Sequence, residues 1–278
     1  MIGTGIGRLT LSRCCSGSRD TQFHTRVTDG SGITSYHTLS SFASAGEIPD
    51  DWKKNQYSLL SLLIGEGITS IGEDAFSGCS GLLGNLVIPS SVTYIGESAF
   101  HNCQGFSGTL RLHEGLLKID ENAFEACRNF TGNLVIPDSV TDIEEEAFRD
   151  FGRSYGVGAG TLTLGSGITK IKDKAFKCAT FTGSLVIPVG VTEIEDEAFE
   201  ECTDFDGTLT LPEGLIRIGD EAFQDCNFIG PLVLPESLNR IDKEAFDFCN
   251  QLTGDLTIPN GVERIEDEAF RYCSGFNG

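Results

Sequence analysis

Cysteine, histidine and clustered carboxylates are the residues in this chain that could do chemistry, and their spacing decides which kind. Ten cysteines occur in 278 residues. A zinc site would need closely paired cysteines with a second pair or histidines, and no Cys-x-x-Cys spacing is present. Cys79, Cys103, Cys127, Cys178, Cys202, Cys226, Cys249 and Cys273 instead recur two or three residues after a Phe. Equivalent positions in stacked coils lie about 4.8 Å apart, beyond the roughly 3.8 Å between the Cβ atoms of a disulfide. The eight read as a buried ladder of small hydrophobes; Cys14 and Cys15 stand outside it. His24, His37, His101 and His113 are scattered, no serine sits in a nucleophile elbow, and no G-x-x-x-x-G-K-[ST] loop cradles a phosphate. The acids form a row (Glu73-Asp74, Glu144-Glu145-Glu146, Glu195-Asp196-Glu197, Glu266-Asp267-Glu268). Calcium needs roughly six to eight oxygens converging on one point, so the row reads as a solvated face. The expectation is a non-enzymatic protein with no metal and no cofactor.

The elements that set these rows come from an internal repeat. Ala-Phe recurs nine times, with Phe at 76, 100, 124, 148, 176, 199, 223, 246 and 270. Around it runs a unit such as GNLVIPSSVTYIGESAFHNCQGFS from Gly84 to Ser107, returning from Gly183 to Asp206 as GSLVIPVGVTEIEDEAFEECTDFD. The Leu-x-Ile/Leu-Pro segment alternates with period two, which predicts a short half-buried strand that proline then ends. Val/Leu-x-x-Ile supplies a second inward pair after a turn. Asp/Glu-x-Ala-Phe-x-x-Cys predicts a short helical turn with acids at its positive end. One unit cannot bury its own apolar face, so stacking is obligatory and the chain is a repeat solenoid.

The unit LxIPxxVxxIgxxAFxxCxxF resembles the BspA-like leucine-rich repeat family over residues 58–278. The resemblance implies a right-handed coil with a parallel sheet, adhesion or protein-binding roles, and a cell-surface or secreted location. Upstream, Trp52 lies one repeat before Phe76, so 46–57 reads as a degenerate N-terminal cap coil and 1–45 as a partly ordered arm. Residues 1–19 hold Arg8, Arg13 and Arg19 and no acid, like an organelle transit segment. They lack the apolar stretch of about 7–15 residues of a secretory signal. The closing CSGFNG stops where another strand would begin, which is compatible with end-to-end or complex association.

Partners are bounded by charge. Twenty Lys plus Arg against 41 Asp plus Glu leave −21, which repels phosphate backbones and excludes nucleic acid. No apolar run approaches the roughly 20 residues of a membrane helix, so membrane insertion is excluded as well. A protein partner is expected, through one of three features. The outward strand positions Val87, Arg111, Val135, Thr163, Val186, Thr210, Val233 and Thr257 make a mild sheet face, with His113 beside it. After Phe148 one unit is four residues longer, bringing Arg149, Arg153 and Tyr155 into a 149–159 loop. It is either a binding feature or a tolerated insertion. A basic line (Lys118, Lys170, Arg217, Arg240, Arg264) is either a set of cross-coil ion pairs or a docking strip. The function read from this is recognition or adhesion through the sheet face and the loop. The alternative is a structural or accessory subunit of a large assembly.

Overall fold

The computed structural model describes residues 9–13, 22–28, 34–40, 62–64, 68–154 and 158–277. The proposed cap around Trp52, the Cys14-Cys15 pair and Tyr155 lie outside the described residues. β1 (Leu9–Arg13), β2 (Gln22–Thr28) and β3 (Thr34–Ser40) form an antiparallel ladder, and β1 pairs in parallel with β4 (Leu62–Ile64). From there the chain winds as a parallel β-solenoid.

Most coils carry two short strands because apolar residues alternate with polar ones at both places; the coils of Val233 and Thr257 keep only the second. The first row is β6 (Leu86–Val87), β8 (Leu110–Arg111), β10 (Gly132–Val135), β12 (Ala159–Thr163), β14 (Leu185–Val186) and β16 (Leu209–Thr210). The second is β5 (Ser70–Ile71), β7 (Tyr94–Ile95), β9 (Lys118–Ile119), β11 (Asp142–Ile143), β13 (Lys170–Ile171), β15 (Glu193–Ile194), β17 (Arg217–Ile218), β18 (Arg240–Ile241) and β19 (Arg264–Ile265). The longer ladders lie in the second row, β5–β7–β9–β11 and β13–β15–β17–β18–β19, whereas the first row pairs two by two, β6–β8, β10–β12 and β14–β16.

The two-by-two pairing has a side-chain cause. Asn85 Oδ1 accepts the Thr109 N–H at 2.8 Å, Asn133 Oδ1 that of Thr161 at 3.0 Å, and Ser184 Oγ that of Thr208 at 2.9 Å. Each valine-bearing coil thus caps the threonine coil after it. The cap needs glycine beside it: a Cβ on Gly108 would lie 2.1 Å from Asn85 Oδ1.

The core is two stacked columns of rings. Phe76 to Phe270 stack with centroids 5.1–5.4 Å apart and planes within 14°. Phe106, Phe130, Phe151, Phe181, Phe205 and Phe228 form the second column, meeting the first edge-on at several coils. Leu, Ile, Val and Ala of both strand rows fill the rest.

The Ala-Phe segment differs from the expected helical turn, and no helix occurs among the described residues. Its N–H groups alternate in direction. Ala75, Ser77 and Cys79 donate back three residues to Gly72, Asp74 and Phe76, while Asp74, Phe76 and Gly78 donate to Glu97, Ala99 and His101 of the next coil. Alternation requires a left-handed residue two before and two after each Phe, and these positions have φ near +55°, including Glu197, Glu221 and Phe248. For non-glycine residues that conformation costs roughly 1–2 kcal/mol. The cost is offset because each such coil gains axial hydrogen bonds that a helix would have spent internally. The sequence hid this, since its acids and Ala-Phe pair match a helix start equally well.

Candidate functional site

The outward positions of the first strand row are held by inward neighbours on either side; around Val87, Leu86 and Ile88 are both fully buried. Alternation then leaves Val135, Val186 and Val233 at 54, 59 and 70% exposure, with Val87 also exposed. Thr163, Thr210 and Thr257 are exposed between them, as are Arg111 on β8 and His113 two residues on. Valines and threonines alternate coil by coil, and Arg111 is the one charge among these eight positions.

The basic line lies in the second strand row and is occupied by carboxylates. Lys118 reaches Asp120 at 3.3 Å and Glu144 at 3.2 Å, and Lys170 reaches Glu193 at 2.7 Å. Arg217 joins Asp196 and the fully buried Asp242, both at 2.6 Å. Arg240 contacts Asp242 and lies 3.7 Å from Glu266, which Arg264 also contacts. Where lysine or arginine is absent, Tyr94 donates its hydroxyl to Asp120, and this hydrogen bond, burial and the Asp120 charge push the phenol up to about 12. The strip is a cross-coil ladder whose cations already have partners.

A second charged ladder escaped the sequence reading. It runs through the residue after each Phe. Glu125 lies 3.4 Å from His101 and 3.7 Å from Arg149, Lys177 contacts Glu200, and Arg271 contacts the buried Asp247. Reading that one column down the repeats, His101-Glu125-Arg149-Lys177-Glu200, would have found it. Glu200 meets the Lys177 ammonium without an aligned hydrogen bond. Burial raises its carboxyl to about 7, and the adjoining Glu197 adds to the rise.

Seven of the eight cysteines keep the expected slot; Cys178 does not. Ala179, fully buried, takes the slot there, and Cys178 has φ +59° and lies 3.5 Å from Glu201. The others do more than fill space: the thiols of Cys103, Cys127, Cys202, Cys226 and Cys249 each donate to the Phe carbonyl of the preceding coil at 2.9–3.1 Å. Burial raises the thiols of Cys103, Cys202, Cys226 and Cys249 well above their ordinary value and that of Cys127 to about 12. No disulfide links them, and no cluster of His, Cys, Asp or Glu suited to a metal occurs among the described residues.

In the long unit Phe151 takes the backbone position of the cysteine, its N–H donating to the Phe148 carbonyl at 3.2 Å. Phe151 stacks between Phe130 at 5.2 Å and Phe181 at 5.9 Å, so it belongs to the second ring column. It reaches that column three residues after Phe148, where Phe106 and Phe130 follow their partners by six. The Cys-x-x rung is therefore skipped: the Gly152 N–H still donates to the Cys127 carbonyl at 3.2 Å, and the strand row resumes at Ala159 in β12. Arg149 turns back to Glu146 at 2.8 Å, and its Nε is buried without a partner. Arg153 bridges Asp150 at 3.2 Å and Glu201 at 3.1 Å. Arg149 and Arg153 are thus tied down by carboxylates at the start of the long unit.

Comparison with known proteins bears on the fold. No helix among the described residues is long and apolar enough to cross a membrane. Among curated proteins none matches the chain. A leucine-rich repeat protein from Bacteroides ovatus is similar over 96% of this chain and 68% of its own, at 20% identity and a TM-score of 0.59. The pneumococcal vaccine antigen PcpA shares 18% identity over 95% of this chain and 78% of its own, with a TM-score of 0.47. A leucine-rich cell surface protein from Faecalibacterium prausnitzii shares 19% identity over 96% and 94%, at 0.32. The model of the BspA type leucine rich repeat region matches six copies across residues 46–155 and 169–277. Rows of stacked Phe, thiol-bonded Cys and paired short strands are therefore the repeat of the BspA-type leucine-rich repeat family, to which this chain belongs.

Proposed function

We propose that the chain is a non-enzymatic recognition solenoid that binds another protein through the Val87–Thr257 strand face and the 149–159 loop. The observation that carries this reading is the exposed valine row: Val135, Val186 and Val233 are each more than half exposed on a molecule of net charge −21. Apolar side chains held in line by a rigid scaffold and spared the surrounding carboxylates suit a contact whose core excludes water. The family resemblance adds adhesion as the setting.

The test is surface plasmon resonance of the full chain against a panel of purified extracellular and cell-surface proteins, followed by Val135→Lys/Val186→Lys/Val233→Lys. At least tenfold weaker binding with an unchanged melting temperature is expected. Undiminished affinity in the folded triple variant would move recognition off this face. Arg149→Ala/Arg153→Ala/Tyr155→Ala is expected to have a smaller effect on the same partner.

A further inference from the structure

The skipped rung leaves a hollow. In the coils on either side the Cys-x-x segment projects polar side chains in a row, Gln104, Arg128 and Asn129 before the gap and Thr203 and Asp204 after it. At the coil of Phe151 none of the described residues fills that row, and an open hollow of about 720 Å³ results. Its floor is a charge-compensated bridge. Asp150 accepts from Arg128 at 2.8 Å and from Arg153 at 3.2 Å, and Arg153 also reaches Glu201 at 3.1 Å. The walls are amides, hydroxyls and one carboxylate, with no apolar side chain among them.

That composition selects a ligand class. An apolar ligand would desolvate polar walls with nothing to replace the lost water. An anion would face Asp150 and Asp204 inside a strongly acidic molecule, and a cation would face two guanidiniums. A neutral polyhydroxylated ligand meets neither objection, since each hydroxyl donates once and accepts twice. The walls are also positioned before any ligand arrives. The Asn129 amide donates to the Gln104 carbonyl at 2.5 Å, and Thr180 Oγ1 donates to the Gly152 carbonyl at 2.6 Å. Gly158 keeps the Asp204 side of the opening close, as a Cβ there would lie 3.1 Å from Asp204 Oδ2.

We infer that this gap in the Cys-x-x row is a binding site for the neutral sugar units of a glycan. The site shares Arg153 with the 149–159 loop but no residue with the valine row, so it stands or falls separately from protein recognition by that row.

The experiment is binding of the full chain to a printed array of galactose-, glucose-, mannose- and N-acetylhexosamine-terminated neutral oligosaccharides, with sialylated and sulfated counterparts in a second arm. Titration calorimetry on the best probe follows. Neutral probes should be retained, with affinity falling at least tenfold in Asp204→Ala and abolished when Thr203→Trp fills the hollow. Both positions are exposed, so both variants should melt like the parent. Val135→Lys/Val186→Lys/Val233→Lys should bind the same sugars undiminished. Retention of no neutral probe, retention of sulfated or sialylated probes alone, or full affinity in folded Thr203→Trp would each overturn the assignment.

Discussion

The coil from Gly84 to Ser107 and the coil that begins at Phe148 solve the same packing problem with different chain lengths. In the first, Phe100 and Phe106 enter their columns six residues apart, and Cys103 between them donates its thiol to the Phe76 carbonyl. In the second, Phe148 and Phe151 enter three residues apart with their rings edge-on at 5.6 Å. No thiol is present there, and the unit is four residues longer. The ring columns continue through both. What the solenoid holds constant is therefore the interior stack, and the surface row is what it can omit.

The comparison breaks most visibly at the rings. Phe124→Ala in a regular coil and Phe151→Ala in the irregular one should each cost about 3–5 kcal/mol, read by urea denaturation; a mild effect at Phe151 alone would mean the second column does not run through the long unit. Next comes the close approach between coils. A Cβ on Gly105 would lie 2.1 Å from the Ser80 carbonyl oxygen, and because backbone cannot yield as a side chain does, Gly105→Ala should cost about 1–3 kcal/mol in the same assay.

The charged row after Phe gives a pH-dependent difference. Folded Glu200 holds its proton to about pH 7 against an ordinary value of 4.5. The folded state then binds more protons than the unfolded one in that window, so stability falls as pH rises from about 4.5 to 7. Glu200→Gln should match the parent at pH 4 and exceed it at pH 8 by about 1 kcal/mol, allowing for solvent screening. Melting curves at the two pH values check it; an equal offset at both would remove the titration.

The smallest effect separates the observed turns from a helix. Glu221 has φ +55°, so Glu221→Gly should be more stable than Glu221→Ala by about 1 kcal/mol. In a helix glycine would instead be worse than alanine by about that amount. Thermal melts of the two variants decide the sign.

Much of this architecture could be read from the repeat. Period-two alternation located the first strand of the unit, Val/Leu-x-x-Ile was read only as a second inward pair where the structure has the longer ladders, and the recurrence of Phe and Cys placed the inward columns. What stayed hidden depends on backbone direction. Residues 73–79 carry acids, then Ala-Phe, then Cys, a pattern that both a helical turn and an alternating turn accommodate, because only the path of each N–H differs. Cys178 was assigned to the ladder because it follows Phe closely, whereas a one-residue shift puts Ala179 inside. The hollow was invisible for a related reason. An insertion of four residues can be counted, but that Phe151 would move into the ring column and leave a rung empty depends on the preference of a large ring for the stack.

The most direct test of this priority of columns over surface is to make the irregular coil regular. Residues 151–159 would be replaced by the Cys-Arg-Asn-Phe-Thr of residues 127–131, which restores the six-residue spacing from Phe148 and the missing rung. Thermal melting of this chain beside the parent is the measurement. The account predicts an equal or higher melting temperature, since both columns persist and a thiol–carbonyl bond of about 1 kcal/mol is gained. A melting temperature lower by more than about 5 °C, beyond what roughly 1 kcal/mol shifts in a chain of this size, would contradict it and show that the long loop itself holds the solenoid together.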